Sequence, residues 1–492
     1  MMRQQQNGYH WSRKQLWLVA LSVTALLAIV LMPSPRSSDT ATAADPAITS
    51  EDISAISSES MIAGRGSQPN TLDNGELLAL KRRDLGVGRI YPPPHLKQIS
   101  ISAGTEGALT LSQRPILDGR IGEHYANITE NNNYVFYTVD PELQEFVSDV
   151  VAEAQANHVA VVVMNPRTGA ILAIAGKSKT IPNIEYHADF PAASLFKVVT
   201  AAAAIEQAGI APTSLIPFRG GTYTLNEYNY LPDSRRDRRV MSVGEALGRS
   251  CNPVFGHLGS RYLNGSILSM YARRFSFNQP LGFEAPLGVS LASIPQDNLY
   301  EISRTAAGFG EVRISPIHAA TIASGIANGG LLPRPHIVDK IVSADGLVLH
   351  RNTPDSLNRA VEPATARDLM KMMEFTTTVG TSRREFMRGS RATLGNLSVA
   401  AKTGTLKGTN PIGLNNWFIG AAPINDPQLA VAVITVDPRY ASKASHLGRL
   451  IFQRFFNITP LEPVVVKKVT ARSSGKYKVS AKKSRTIKKQ RK

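Results

Sequence analysis

Apolar patterning becomes dense at Tyr134 and stays dense through most of the chain beyond it. After Pro141, residues Leu143, Phe146, Val147, Val150, Val151 and Ala154 recur at helical spacing, and the proline suits a first turn. Val159–Met164 is a β-branched run, Asn165-Pro166-Arg167-Thr168-Gly169 carries turn chemistry, and Ala170–Ala175 is a second apolar run. This order predicts a hairpin of two buried strands. Ala192–Gln207 reads as an alanine-rich helix stopped by Gly209. Ser242–Tyr262 also reads as helical, with Ser242 and Glu245 forming a capping box. Helices follow at 315–328 and 362–379, strand-like runs at 397–405, 416–421 and 428–436, and a closing helix near 442–456. A helix, a hairpin, a helical middle, then strands and a last helix predict an α/β (α+β) domain with an antiparallel sheet over 134–459.

The flanks look different. Arg3, Arg13 and Lys14 precede the apolar run Leu16–Met32, whose 17 residues reach the lower limit of a membrane-spanning helix. Positive charge before the run places residues 1–15 in the cytoplasm and the bulk outside, as a single-pass protein of the cytoplasmic membrane. A cleaved signal peptide is the competing reading, with Ala41-Thr42-Ala43 beyond the run. Residues 33–133 read as a Ser/Ala/Thr-rich linker and a small mixed N-terminal region.

Charge adds one feature. The 492 residues carry a formal +17, but 12 of the 55 basic residues and no acidic ones fall between Pro463 and Lys492. Without them 43 basic residues face 38 acidic ones, so the body is only mildly basic. The segment 460–492 reads as a solvated basic tail that would suit an anionic wall polymer or lipid. Outside the cytoplasm, nucleic acid is not an expected partner. One cysteine, Cys251, excludes an internal disulfide, and no Cys/His cluster has metal-ligand spacing, so no metal or cofactor is expected.

Three short motifs carry candidate chemistry. Ser194 and Lys197 lie three apart at the start of a helix and share a face. A serine hydroxyl is a weak nucleophile until a base takes its proton, and a lysine of lowered pKa can be that base. Ser250-Cys251-Asn252 offers a hydroxyl and a carboxamide two apart. Lys402-Thr403-Gly404-Thr405 places a cation and two hydroxyls on a strand, with a glycine that leaves room for a substrate backbone. Each motif alone is more often a helix cap, a polar loop or a strand end than a catalytic element.

Together, in the order S-x-x-K, S-x-N, K-T-G, they are the mark of penicillin-binding proteins and β-lactamases. The chain resembles the transpeptidase domain of penicillin-binding proteins over about 134–440. The hairpin Val161–Ala173, Gly308-Phe309-Gly310 with Ser315-Pro316 and Ala327-Asn328-Gly329-Gly330, and Asn416-Trp417-Phe418-Ile419-Gly420 carry the likeness beyond the trio. The resemblance implies the penicillin-binding transpeptidase fold, an antiparallel sheet flanked by helices with an all-helical subdomain. It implies that Ser194 attacks a D-alanyl-D-alanine carbonyl of a peptidoglycan stem peptide, with Lys197 as general base and Ser250 relaying a proton. Asn252 would bind a substrate amide and position Lys197. Lys402, Thr403 and Thr405 would hold the terminal carboxylate, with Gly404 between them. The N–H groups of Ser194 and Thr405 would form an oxyanion hole, and β-lactam antibiotics would acylate Ser194.

The stretch between anchor and domain is short, and the Arg-Gly and Asp-Arg signature of the longer pedestals is not found in it. The likeness is to a compact, monofunctional, class B-like member, for which a polytopic glycosyltransferase is an expected partner. D,D-carboxypeptidase and β-lactamase-like hydrolase remain alternatives within the fold, although no Glu-x-x-x-Asn loop is evident. A β-lactam-sensing or scaffolding domain is the alternative of another class.

Overall fold

The computed structural model describes residues 95–103, 109–438 and 443–459. The anchor expected at 16–32 and the basic tail lie outside these residues. Among the described residues, no helix is long and apolar enough to cross a membrane.

Strand β1 (Tyr134–Tyr137) is buried throughout. Helix α1 (Pro141–Glu153) is capped by Asp140, whose carboxylate accepts the N–H of Leu143 at 2.7 Å. Strands β2 (His158–Met164) and β3 (Ile171–Ser178) form the expected hairpin. Next come α2 (Lys197–Ala208), α3 (Val243–Arg249), α4 (Asn252–His257), α5 (Gly265–Arg274), α6 (Leu299–Ala306) and α7 (Pro316–Ala327). Strand β4 (Val338–Val342) and helix α8 (Pro363–Thr378) lead to β5 (Ala400–Thr409), β6 (Ile412–Ala422), β7 (Leu429–Asp437) and α9 (Ala444–Phe455).

The central sheet runs β5-β6-β7-β2-β3, antiparallel throughout. Strands β2 and β7 are buried at every position because helices cover both faces. Alternate side chains sort accordingly. Ala160, Val162, Met164, Ala432 and Ile434 share a core with α2 and α7, while Val159, Val161, Val163, Val431 and Val433 pack with α1 and α9. That is why these strands read as unbroken apolar runs and not as polar alternation. Each fully buried valine or isoleucine contributes about 1.5–3 kcal/mol. Strand β5, which carries the Lys-Thr-Gly motif, is the edge of this sheet.

A second five-stranded sheet orders Val348–Arg351, β4, β1, His124–Ile128 and Arg120–Ile121. Part of the mixed stretch before Tyr134 is therefore built into it.

The helix expected over 242–262 is broken. Ser242 does cap α3, accepting the N–H of Glu245 at 3.2 Å. Ser250 then turns left-handed at φ 57° and Cys251 is extended, so α4 restarts at Asn252 with Pro253 in its first turn. A π-helical turn follows at Leu258–Tyr262.

Candidate active site

The turn that carries Ser194 is held from several sides. Phe190–Pro191 pairs with Arg313–Ile314, and the N–H of Ala192 donates to Val312 at 2.8 Å. Trp417 of β6 donates its indole N–H to the Pro191 carbonyl at 2.9 Å and meets Phe190 edge to face. Ala193 is forced to φ 50°, a left-handed conformation that costs a residue with a Cβ about 1–2 kcal/mol. The 3-10 turn Ala193–Phe196 follows, and its buried Leu195 and Phe196 anchor it in the core. Ser194 thus sits one turn ahead of α2, which begins at Lys197.

Two glycines let other segments close on this turn. Gly308 has φ 88°, and a Cβ there would clash with the Ala193 carbonyl and reach within 3.0 Å of Ser194 Cα. A Cβ on Gly404 would stand 3.2 Å from the Ala192 carbonyl oxygen and 3.3 Å from Ser194 N. The room expected at Gly404 for a substrate is taken by the backbone of the nucleophile turn.

Lys197 is fully buried. Its Nζ lies 2.9 Å from Ser194 Oγ, 2.7 Å from Asn252 Oδ1 and 2.5 Å from the Ala307 carbonyl oxygen. Among the described residues no carboxylate compensates it, and burial pulls its pKa from 10.5 down to about 7. A neutral amine has two N–H groups and one lone pair. The two donors suit Asn252 and Ala307, and the lone pair then faces the Ser194 hydroxyl. Asn252 is itself fixed, donating from Nδ2 to the Tyr223 carbonyl at 2.7 Å and from its backbone to Thr222 at 2.8 Å.

Ser250 and Lys402 form the next layer. Lys402 Nζ donates to Ser250 Oγ at 3.1 Å and to the Thr403 carbonyl at 2.7 Å. Burial first, then the nearby Lys197, holds the Lys402 amine well below the usual lysine range. Lys402 is fully buried, and the wall of the cleft is made instead by its neighbours on β5. Ser194, Ser250, Asn252, Thr403 and Thr405 line one cavity of about 230 Å³. Lys402 stands behind Ser250, while Thr403 and Thr405 present hydroxyls to the cleft.

Tyr223, Phe309 and Thr381 complete the wall, and none of them stands in the three motifs. Thr381 Oγ1 lies 2.5 Å from Thr403 Oγ1, and its backbone N–H donates to Gly248 at 3.1 Å. Asn416 donates to Thr405 Oγ1 at 3.1 Å and accepts the N–H of Ala444 at 2.9 Å. The runs Gly308-Phe309-Gly310 and Asn416-Trp417 were visible as part of the family likeness. Thr381 had no sequence signal, because its role depends on a loop folding back on β5. Chemically, the arrangement can deprotonate a serine beside a hydroxyl-lined wall that suits a carboxylate.

The family model described as the penicillin binding protein transpeptidase domain matches residues 159–456. The peptidoglycan D,D-transpeptidase PbpA of Mycobacterium tuberculosis is 28% identical over 398 residues, covering 70% of this chain and 78% of that protein. Stage V sporulation protein D of Bacillus subtilis is 25% identical over 326 residues, 61% of this chain and 49% of that protein. The crystal structure of PBPA from M. tuberculosis superposes with a TM-score of 0.53 at 26% identity, covering 67% of this chain and 82% of the other. Its imipenem acyl-enzyme complex gives 0.52 at 26% identity, covering 68% and 80%. With a family model spanning more than half its length and a serine, lysine and asparagine in hydrogen-bonding array at its cleft, the chain belongs to the penicillin-binding protein transpeptidase family.

Proposed function

We propose that the chain is a serine D,D-transpeptidase that crosslinks peptidoglycan stem peptides of the bacterial cell wall. The observation that carries this is the buried Lys197 amine, 2.9 Å from Ser194 Oγ at the floor of an open cavity. Ser194 attacks the carbonyl between two D-alanines while Lys197 takes its proton. The C–N bond then breaks, and the terminal D-alanine leaves as an amine with a proton relayed through Ser250. Thr403 and Thr405 hold its carboxylate, and that negative charge favours the protonated form of Lys402 behind them. The N–H groups of Ser194 and Thr405 receive the oxyanion. The amine of a neighbouring stem next attacks the acyl-enzyme, a C–N bond forms, the C–Oγ bond breaks, and Ser194 recovers its proton. A β-lactam follows the first half of this path, but its leaving nitrogen stays tethered. The M. tuberculosis relative, named a D,D-transpeptidase and captured with imipenem as an acyl-enzyme, supports the reading. In this reading residues 16–32 anchor the domain at the outer side of the cytoplasmic membrane, where a polytopic glycosyltransferase would supply glycan strands.

Fluorescent penicillin tests the first half. The wild type should take the label and Ser194→Ala should not; equal labelling of both would sink the assignment. Purified enzyme with a pentapeptide donor and an acceptor amine tests the second half. Transfer product is expected, whereas release of D-alanine with no transfer would make the enzyme a carboxypeptidase.

A further inference from the structure

The connection 219–238, between the paired strands Leu215–Phe218 and Arg239–Ser242, contains neither helix nor strand. It exceeds the roughly 12–15 residues beyond which structureless connections are mostly functional or disordered. This one is fastened. Arg219 and Asp237 form a buried ion pair at 2.8 Å, and Arg219 also donates to the carbonyls of Tyr228 and Leu231 at 2.7 and 3.1 Å. Asp237 accepts the N–H of Asp233 at 2.7 Å. Buried His257 places its ring nitrogens 3.1 Å from the carbonyls of Pro217 and Asn229. The loop is tied to the catalytic cleft as well, because Thr222 and Tyr223 give their carbonyls to Asn252.

What the fastened loop shows to solvent is unusual. Tyr223, 66% exposed, lines the nucleophile cavity, and Tyr228 is 57% exposed. Asp237 is buried, and the partly exposed Asp233 accepts the N–H of Arg235 at 3.0 Å; Glu227 is the loop's one exposed acid, against exposed Arg235, Arg236 and Arg238. Arg236 has a loose contact to Asp233 at 3.4 Å; among the described residues Arg235 and Arg238 face no acidic partner. Arg239, which follows Arg238, donates to the Gly220 carbonyl at 2.7 Å, and the same segment reaches the cavity at Tyr223. Buried polar bonds thus hold a loop whose exposed side is mainly cationic and aromatic and which meets the cleft at Tyr223.

We propose that loop 219–238 is an acceptor platform, on which Arg235, Arg236 and Arg238 bind carboxylates of the incoming stem peptide and Tyr223 packs on the part entering the cavity. This rests on the transpeptidase reading of the same cleft. Planar guanidinium groups suit carboxylates, and exposed ones steer an anionic chain toward the acyl-enzyme without touching the acylating group.

The test compares the wild type with R235Q/R236Q/R238Q in the full chain. Fluorescent penicillin labelling should agree within about twofold, because the lost charges do not contact Ser194. Acyl transfer to an acceptor peptide bearing two side carboxylates should fall about tenfold in kcat/KM, chiefly through KM, as three weak exposed pairs are lost. Transfer to glycinamide, which has no carboxylate, should not change. The triple lysine variant should recover most of the loss, and raising salt from about 50 to 500 mM should depress the wild type toward the variant. Unchanged transfer to the carboxylated acceptor overturns the proposal. So does an equal loss with glycinamide. A wild type that takes no label, or that labels but transfers to neither acceptor, removes the transpeptidase reading itself and the platform with it.

Discussion

A lysine in a dry interior, with a hydroxyl, a carboxamide oxygen and a main-chain carbonyl around its nitrogen, is held toward neutrality by desolvation. For Lys197 the shift runs from 10.5 to about 7, so the neutral fraction grows as pH rises through 7. If that amine is the base, penicillin acylation should rise about tenfold per unit below pH 7 and level off above it, in a stopped-flow rate measurement. Lys197→Met should lose about 10²–10⁴-fold in the same assay. The linkage to stability has a definite sign. Between about 7 and 10.5 the unfolded lysine holds a proton that the folded one lacks. Its contribution is therefore fully present above 10.5 and is lost as pH falls toward 7. The Tm of the wild type relative to Lys197→Met should climb from pH 7 to pH 10; a flat difference would mean that the amine is charged when folded. Ser194, Lys197 and Asn252 were legible as residue types at a spacing. The Ala307 carbonyl was not, because it reaches Lys197 across 110 positions of chain and any residue could supply it.

Among the elements, the hairpin β2–β3, the helices α1 and α7 and the strands β5–β7 were legible because each carries a strong period or an unbroken apolar run. The break at Ser250 was only half legible: Pro253 and the polar Ser250-Cys251-Asn252 signal an interruption, but the apolar spacing runs through it and nothing in a serine announces φ 57°. Strands such as Arg120–Ile121 were illegible for another reason: two residues carry no period, and their sheet is completed by β4 some 200 positions later. The two glycines at the nucleophile turn divide the same way, and substitutions should separate them. Gly308→Ala adds a Cβ at φ 88° against the Ala193 carbonyl, which should cost about 1–3 kcal/mol in urea unfolding and displace Ser194. Gly404→Ala meets the same turn only at 3.2–3.3 Å, so stability should change little. Its effect should appear in catalysis, as about a tenfold slower acylation, because a shift of a fraction of an ångström misaligns the serine. Equal effects on stability and rate at both positions would refute this division.

On the scale of the whole molecule, the chemistry sits where four separate stretches meet: the turn before α2, the break between α3 and α4, the Ala307–Phe309 segment after α6, and the edge strand β5. The sheet holds β5 along its whole length through β6, while the α3–α4 break is braced by the loop beginning at Arg219. That brace depends on charge inside the protein. Arg219 and Asp237 side chains are 10% and 2% exposed, so each is the other's main compensation. Asp237→Ala leaves a buried guanidinium and should cost about 3–5 kcal/mol in chemical denaturation. Because the same loop holds Asn252 through Thr222 and Tyr223, penicillin acylation should slow as well. Arg167 and Asp426 supply the control, being an ion pair 62% exposed on each side. Asp426→Ala should cost under about 1 kcal/mol and leave acylation unchanged, since water already screens that pair. Matching losses for the two aspartates would show that the loop is held by its backbone bonds, and that the buried pair adds nothing to the positioning of Asn252.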